Sequence, residues 1–391
     1  MFNFFSGLID IPDLKKLDIY LIGLILIVSL FGLVSVATAS IYFSDNLTGD
    51  PFYLFYKQAF HLLLAILLSS ILICIPLSYW ERFDRYFLLL GLIGLILVFM
   101  PGIGVEVKGS NRWIRIFGFT LQPSEVMKFF LLIYVSAYSV RRIQDIQTSW
   151  FGFFRPAVLI VLVISLILIQ PDLGTPAVIF SSVLAVLFLA GVHLKQFILV
   201  MVLGAISIFA LIFFEPYRWQ RIISFLDPWA DANDTGYQLT QSLMAISRGD
   251  WFGVGLGEGL WKMGFLPDAH TDFIFAVIVE EMGLFMAFLL LSFLIFLLIR
   301  MIQIGNRSLE KRQFFGYFFS YGVAVLIGLQ TVINVGVASG MLPTKGLTLP
   351  FVSYGGTNLI VLFALSALVI RTDYETKSSM PLVNITRRVR Y

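Results

Sequence analysis

The stretch LPDAHTDFIFAVIVEEMGLFMAFLLLSFLIFLLIR, Leu266–Arg300, decides how this chain is read. From Phe273 onward it is almost wholly apolar for about thirty residues, more than the roughly 20 that a helix needs to cross a bilayer. Yet Asp268, His270 and Asp272 crowd its mouth, and Glu280 and Glu281 lie inside the run. The stretch therefore opens as a membrane span and carries ionisable groups where they are costly, which marks a lined cavity by default.

Working outward, comparable apolar runs lie near 17–43, 57–77, 86–103, 122–140, 156–170, 175–192, 196–214, 273–300, 313–339 and 357–371. The composition agrees: 391 residues, 59% hydrophobic and 13% charged, with a mean hydropathy of +0.90. The fold class this predicts is an all-α polytopic integral membrane protein of about ten transmembrane helices, with a large extracytoplasmic loop between helices 7 and 8. The first run is too long for a cleavable signal's apolar core and reads as an uncleaved targeting span. A net charge of +3 gives no argument for nucleic acid. Cys74, alone, excludes an internal disulfide or a cysteine metal cluster and reads as a small buried hydrophobe.

Lys and Arg outside the spans favour the side of the two termini by roughly two to one, which predicts both termini in the cytoplasm. The transmembrane unit then covers 1–371, with an outer loop over about 215–272, and 372–391 is a short basic cytoplasmic tail. That loop is too rich in Trp, Leu and Phe for disorder. In GYQLTQSLMAISRG (236–249), Leu239, Leu243 and Ile246 recur at helical spacing, so a helix lying on the membrane surface is expected there.

Four outer segments carry candidate chemistry. At the first, Thr271 or Asp272 can cap the following helix, or Asp272 can serve as a general base in a partly desolvated site. Glu280 would lie about 12 Å further along that helix. It and Glu281 form either buried ion pairs or the wall of a cavity. In the second, SNRWIRIFGFTLQPSEVMK (110–128), QPSE reads as a helix start with Glu125 near its positive end. Arg112 and Arg115 precede that helix, and Lys128 lies about two turns inside it, too deep to reach the interface easily. The third, QPDLGTP (170–176), is a tight hairpin with Asp172 as a cap. The fourth, LPTKGLTLPFVSYGGTN (342–358), joins Lys345 to Ser353 and a glycine pair at a helix start, a setting that suits an anion. A lipid-attached pyrophosphate at the outer leaflet fits all four. There is no nucleotide-binding glycine loop, no histidine cluster and no Ser-His-Asp set.

Read together, NRWI with QPSEVMK, QPDLGT, EPYRWQRIISFLDPWAD, GYQLTQSLMAISRGDWFGVGLGEG, LPDAHTDFIFAVIVEEMG and LPTKGLTLPFVSYGG resemble the SEDS family (shape, elongation, division and sporulation) of bacterial cell-wall glycosyltransferases. The wording of PTKGLTLPFVSYGG and GLGEGLWKMGFLPDAHTDF is more like the division branch, FtsW, than the elongation branch, RodA. Thr357-Asn358 and Asp268 depart from the family's usual wording, which has Ser-Ser and Glu there.

The resemblance covers nearly the whole chain and implies a peptidoglycan polymerase. Such an enzyme joins lipid II units onto an undecaprenyl-pyrophosphate-linked glycan at the outer face of the cytoplasmic (inner) membrane, at the division septum. It implies Asp272 as the base, with Arg112, Lys128 and Lys345, and more weakly Arg218 and Arg221, on the pyrophosphate. Asp268, His270, Glu280 and Ser353 support the site. The sequence offers no dedicated metal cage, so a divalent cation, Mg²⁺ or Mn²⁺, would be shared with the pyrophosphate. The implied partners are a class B penicillin-binding protein and other divisome proteins. A lipid II flippase would need polar groups in both halves of the spans, whereas here they gather outside. A scaffold without chemistry would leave Asp272 free to vary.

Overall fold

In hydrocarbon each backbone N–H and C=O has to be satisfied within the protein, so a chain this apolar folds into helices that supply their own hydrogen bonds. The computed structural model describes residues 10–379 apart from 108–109, 117–118, 171, 173 and 345, and omits the side chains of 107, 110, 116, 119, 217 and 218. Its elements, in order, are α1 (Ile19–Ala39), α2 (Ile41–Thr48), α3 (Tyr53–Ile73), α4 (Leu77–Arg82), α5 (Asp84–Leu97), β1 (Gly104–Val107), β2 (Ser110–Ile116), β3 (Phe119–Leu121), α6 (Pro123–Arg141), α7 (Ile143–Thr148), α8 (Trp150–Ile169), α9 (Gly174–Leu189) and α10 (Leu194–Phe213). There follow α11 (Pro216–Leu226), α12 (Tyr237–Gly249), α13 (Ile274–Glu310), α14 (Phe314–Ala338) and α15 (Gly356–Ser378).

Every expected span coincides with a helix. Among the described residues, seven of them (α1, α3, α8, α10, α13, α14 and α15) are long and apolar enough to cross a membrane, and α9 is apolar but shorter. The most enclosed is α15 and the least is α10, which stands at the rim.

Three features depart from the expectation. A three-stranded antiparallel sheet, in the order β1-β2-β3, joins α5 to α6 within an otherwise helical chain. The last helix continues past Arg371 to Ser378, so the first residues of the expected tail are ordered and Asp373 is buried. Cys74 is half-exposed at the end of α3, its thiol donating to the Ser70 carbonyl at 3.4 Å, rather than buried.

The end of the bundle holding residue 10 and the last turn of α15 is tied by ion pairs. Asp18 caps α1 through the Leu21 N–H at 3.0 Å and binds Arg300 at 2.7 Å. Arg307 and Lys377 meet Asp373 at 3.0 and 2.5 Å. Arg371 joins Asp10 at 2.6 Å and Glu375 at 2.7 Å. The loops 215–272 and 341–355 lie at the opposite end, called here the loop face.

Two breaks in regularity shape the loop face. Gly283, at φ 80 and ψ 170, interrupts α13, leaving a short segment, 274–282, before the long one. The polar groups freed by that break are taken up by the chain after α12. Val254 and Gly255 donate to the carbonyls of Glu280 and Glu281 at 2.9 and 3.0 Å, and Leu284 and Phe285 donate to those of Asp250 and Trp251 at 2.9 and 3.1 Å. Residues 341–355 form the second break. The described ones, 341–344 and 346–355, are non-helical yet bury Leu347, Leu349, Phe351 and Val352 within the bundle. Gly32 of α1 permits this, since a Cβ there would come within 2.5 Å of the Val352 Cα. Irregular backbone at such depth is tolerated because protein surrounds it.

Candidate functional site

The stretch 268–272 is held from both sides. The Ser353 hydroxyl donates to the Thr271 carbonyl at 2.7 Å and accepts from the Leu349 N–H at 2.7 Å. Tyr354 N–H donates to the His270 carbonyl at 3.0 Å. Asn334, buried in α14, donates through Nδ2 to the carbonyls of Asp272, at 2.8 Å, and Leu347, at 2.6 Å. Two segments some eighty residues apart in sequence are thus stitched through Ser353 and Asn334. Asp268 turns the chain in the left-handed region at φ 53, and the N–H groups of Thr271 and Phe273 return to its carbonyl.

Phe273 is the N-cap of α13 and brings no side-chain hydrogen bond to it, so Thr271 does not hold the N-cap position expected of it. The Thr271 hydroxyl donates to the Asp268 carbonyl at 3.2 Å instead. Asp272 is half-buried, and its Oδ2 would lie 3.2 Å from a Cβ on Gly346. A glycine at 346 therefore lets the Pro/Gly loop close over the carboxylate. Lys345, the neighbour of Gly346, lies outside the described residues. His270 is buried between the rings of Phe43, at 4.7 Å between centroids, and Tyr354, at 5.8 Å.

The cations distribute unevenly around this corner. Arg221 on α11 donates to the Thr344 carbonyl at 3.4 Å and so reaches the same loop. Arg218 shares that helix, but its side chain lies outside the described set. Arg112 on β2 donates through Nε to the Gln170 carbonyl, at the end of α8, at 2.9 Å, a favourable place for a cation. Lys128 is enclosed and paired with Glu125 at 2.6 Å, and it lines a small internal space together with Leu131, Leu132, Ile179, Ser182, Val183 and Leu326. No described residue of the Asp272 corner lines that space. Asp172 caps α9 as expected, accepting from Gly174 and Thr175 N–H at 3.1 and 3.2 Å and from the Thr175 hydroxyl at 2.7 Å. Gly174 in turn packs against Leu347, joining the hairpin to the loop beside Asp272.

Glu280 and Glu281 prove to be braces. They lie on the loop side of the break in α13, not deep along a continuous span. Glu280 binds Arg248 at 2.7 Å and accepts from the Leu260 N–H at 2.6 Å. Glu281 binds the buried Lys262 at 2.5 Å. The two pairs fasten α12 and the chain after it to the short helix that begins just after Asp272. Of the reading's two alternatives for these acids, the ion pair is the one that forms.

The residues that sequence reasoning missed are the fasteners: Asn334, Arg248, Lys262, and Gln58, whose amide donates to the Ser353 carbonyl at 3.2 Å. An Asn and a Gln inside apolar helices are signals in themselves, since polar groups there seek partners. Among the described residues no three His, Cys, Asp or Glu side chains converge as a metal cage.

A family model described as "Cell cycle protein", covering FtsW, RodA and SpoVE, matches residues 18–378. The chain belongs to the FtsW/RodA/SpoVE family. It is 40% identical over 366 residues to a protein of Saccharophagus degradans named "Probable peptidoglycan glycosyltransferase FtsW", with 94% of this chain and 95% of the relative covered. A relative from Nitrosococcus halophilus with the same name is 43% identical, covering 92% and 93%. Among solved structures, a chain of a peptidoglycan synthase complex that coordinates polymerization and crosslinking superposes with a TM-score of 0.76 at 27% identity, covering 93% of this chain and 99% of that one. The rod shape determining protein RodA of Thermus thermophilus superposes with a TM-score of 0.69 at 26% identity, covering 93% and 98%. With the apolar helices, this family membership makes the chain an integral membrane protein.

Proposed function

We propose that this chain is a peptidoglycan glycosyltransferase of the inner membrane, polymerising lipid II into glycan strands for the division septum, with the loop face outside and both termini in the cytoplasm. The observation that carries the reading is the enclosure of Asp272. Its carboxylate is packed against Gly346 in a corner stitched by Ser353 and Asn334, within a chain whose relatives bear that enzyme's name over more than nine-tenths of their length.

In this mechanism Asp272 accepts the proton of the acceptor's sugar hydroxyl as its oxygen bonds to the donor's anomeric carbon. The bond from that carbon to the pyrophosphate oxygen breaks, and undecaprenyl pyrophosphate leaves with the electron pair. Arg221, Arg218, Lys345 and Arg112 supply positive charge along the loop face to the leaving group, where fixed charges stabilise a transition state at little reorganisation cost. Lys128, neutralised by Glu125, acts through the field and packing of the core rather than by touching the phosphates. Its partner is a class B penicillin-binding protein, which crosslinks the strand as it grows.

The test is polymerisation of labelled lipid II by the chain purified with its cognate class B transpeptidase, beside Asp272→Asn and Asp272→Ala versions that still bind the partner. Loss of at least about 10²-fold in rate is expected, the usual contribution of a general base. Equal polymer from native and variant complexes would remove Asp272 from that role. Movement of the headgroup across vesicles without any polymer would replace the enzyme with a transporter.

A further inference from the structure

The turn that follows α12, Asp250–Gly253, does not pack away its largest side chains. Trp251 is 58% exposed and Phe252 84% exposed. Both sit on a backbone fixed to α13, because the carbonyls of Asp250 and Trp251 accept from the N–H groups of Leu284 and Phe285. The level of the turn is therefore the level of Phe285.

That level can be placed against a bilayer. Arg300 marks one boundary, since it binds Asp18 at the start of α1 and lies over the Tyr20 ring at 5.5 Å. Phe285 stands about 15 residues away along the helix, roughly 22 Å at 1.5 Å per residue. The hydrocarbon is about 30 Å thick. Phe285 thus lies several ångströms inside the opposite boundary. From it an exposed stripe of Phe285, Phe288, Leu289, Ile295 and Phe296 runs down α13 at helical spacing, the surface a spanning helix turns to lipid. The exposed Trp251 and Phe252 lie at the level of its upper end.

The turn's backbone is also tied to the chain on either side of it. Gly253 N–H donates to the Gly249 carbonyl at 2.7 Å, and Val254 and Gly255 donate to Glu280 and Glu281 as described. Asp250, exposed and held at φ 44, precedes the two aromatics, so the turn lies within several ångströms of the boundary zone. Tryptophan favours that zone, where one end is apolar and the other wet.

We infer that the turn Asp250–Gly253 is a lipid anchor. Trp251 and Phe252 insert among the acyl chains of the loop-face leaflet, beside the lipid-facing stripe of α13, and fasten the loop that carries Asp272 to that leaflet. The anchoring rests on the fold and on no part of the proposed reaction.

The test uses the full chain in lipid nanodiscs, where both faces meet solvent, with Cys74→Ser as background. Phe252→Cys, and separately the exposed loop position Asn233→Cys, are labelled with an NBD fluorophore. Each is then quenched by lipids carrying a doxyl group high on the acyl chain, or by aqueous iodide. Phe252 touches little of the protein, so its replacement leaves the fold intact. The expected result is several-fold stronger lipid quenching at 252 than at 233, and the reverse order with iodide. Iodide reaching 252 as readily as 233, or equal lipid quenching at both positions, would overturn the anchor.

Discussion

Replacing Asn334 by Leu tests whether the Asp272 corner depends on the stitch across it. Asn334 is 1% exposed, and its Oδ1 has no hydrogen-bond partner among the described residues, so the amide is held there for its two N–H groups. Leu fills similar volume but donates nothing. The carbonyls of Asp272 and Leu347 then face each other's surroundings without a donor. Each buried acceptor left unpaired costs about 1–3 kcal/mol, so the variant should lose about 2–6 kcal/mol of local stability. The chain can recover part of this only by moving the two segments apart, and a displacement of about 1 Å at a reacting group can cost on the order of 10²-fold in rate. The assay is paired: the melting temperature of the purified complex in detergent, and its rate of lipid II polymerisation. Both should fall, with partner binding retained. Asn334→Asp, which sets a carboxylate against two carbonyl oxygens, should fall at least as far. A Leu variant that melts and polymerises like the native chain would refute the reasoning, because the stitch would then carry neither stability nor geometry.

Other substitutions probe the same frame. Lys262→Met or Glu281→Leu alone strands a buried charge and should destabilise by about 3–5 kcal/mol, while the double variant should recover most of it in a thermal-melt cycle. Gly283→Ala places a Cβ against the Trp251 carbonyl at φ 80, so the folded yield measured by size-exclusion in detergent should drop sharply. Gly32→Val drives side-chain atoms into the backbone at Val352 and should lower polymerisation while leaving membrane insertion unchanged, as read by fractionation and by lipid II turnover.

How much was legible follows from where each signal resides. Long apolar runs are local, so each of the ten helices could be placed from its own residues. The α12 helix was also legible, because Leu239, Leu243 and Ile246 repeat at its period. The sheet was missed although GVEVKGSNRWIRIFGFTL alternates and turns at glycines, because its short strands sat between stronger apolar signals. The amphipathic α11, opened by Pro216, was hidden in the same way within a loop. Gly283 gave no warning, since one glycine in a greasy run is a weak breaker until its torsion is seen. The fates of Glu280 and Glu281 could not be read locally: their partners Arg248 and Lys262 lie 32 and 19 residues away, and pairing over such distances is tertiary. For Asp272, position at a span's mouth suggested a site, but Gly346 and Asn334 show what encloses it.

The re-entrant segment 341–355 also sets an order of assembly during synthesis. It is made near the end of the chain, yet it packs on Gly32 of the first helix, Gln58 of α3, Gly174 of α9 and Asn334 of α14. Those helices enter the membrane one after another while the corner around Asp272 stays open. It closes only when residues 341–355 leave the ribosome and thread into a bundle already largely in place. A ribosome-bound chain halted before residue 341 should therefore be inserted but incomplete at its site. The enzyme would reach competence late, in one step, rather than gaining it gradually as each helix arrives.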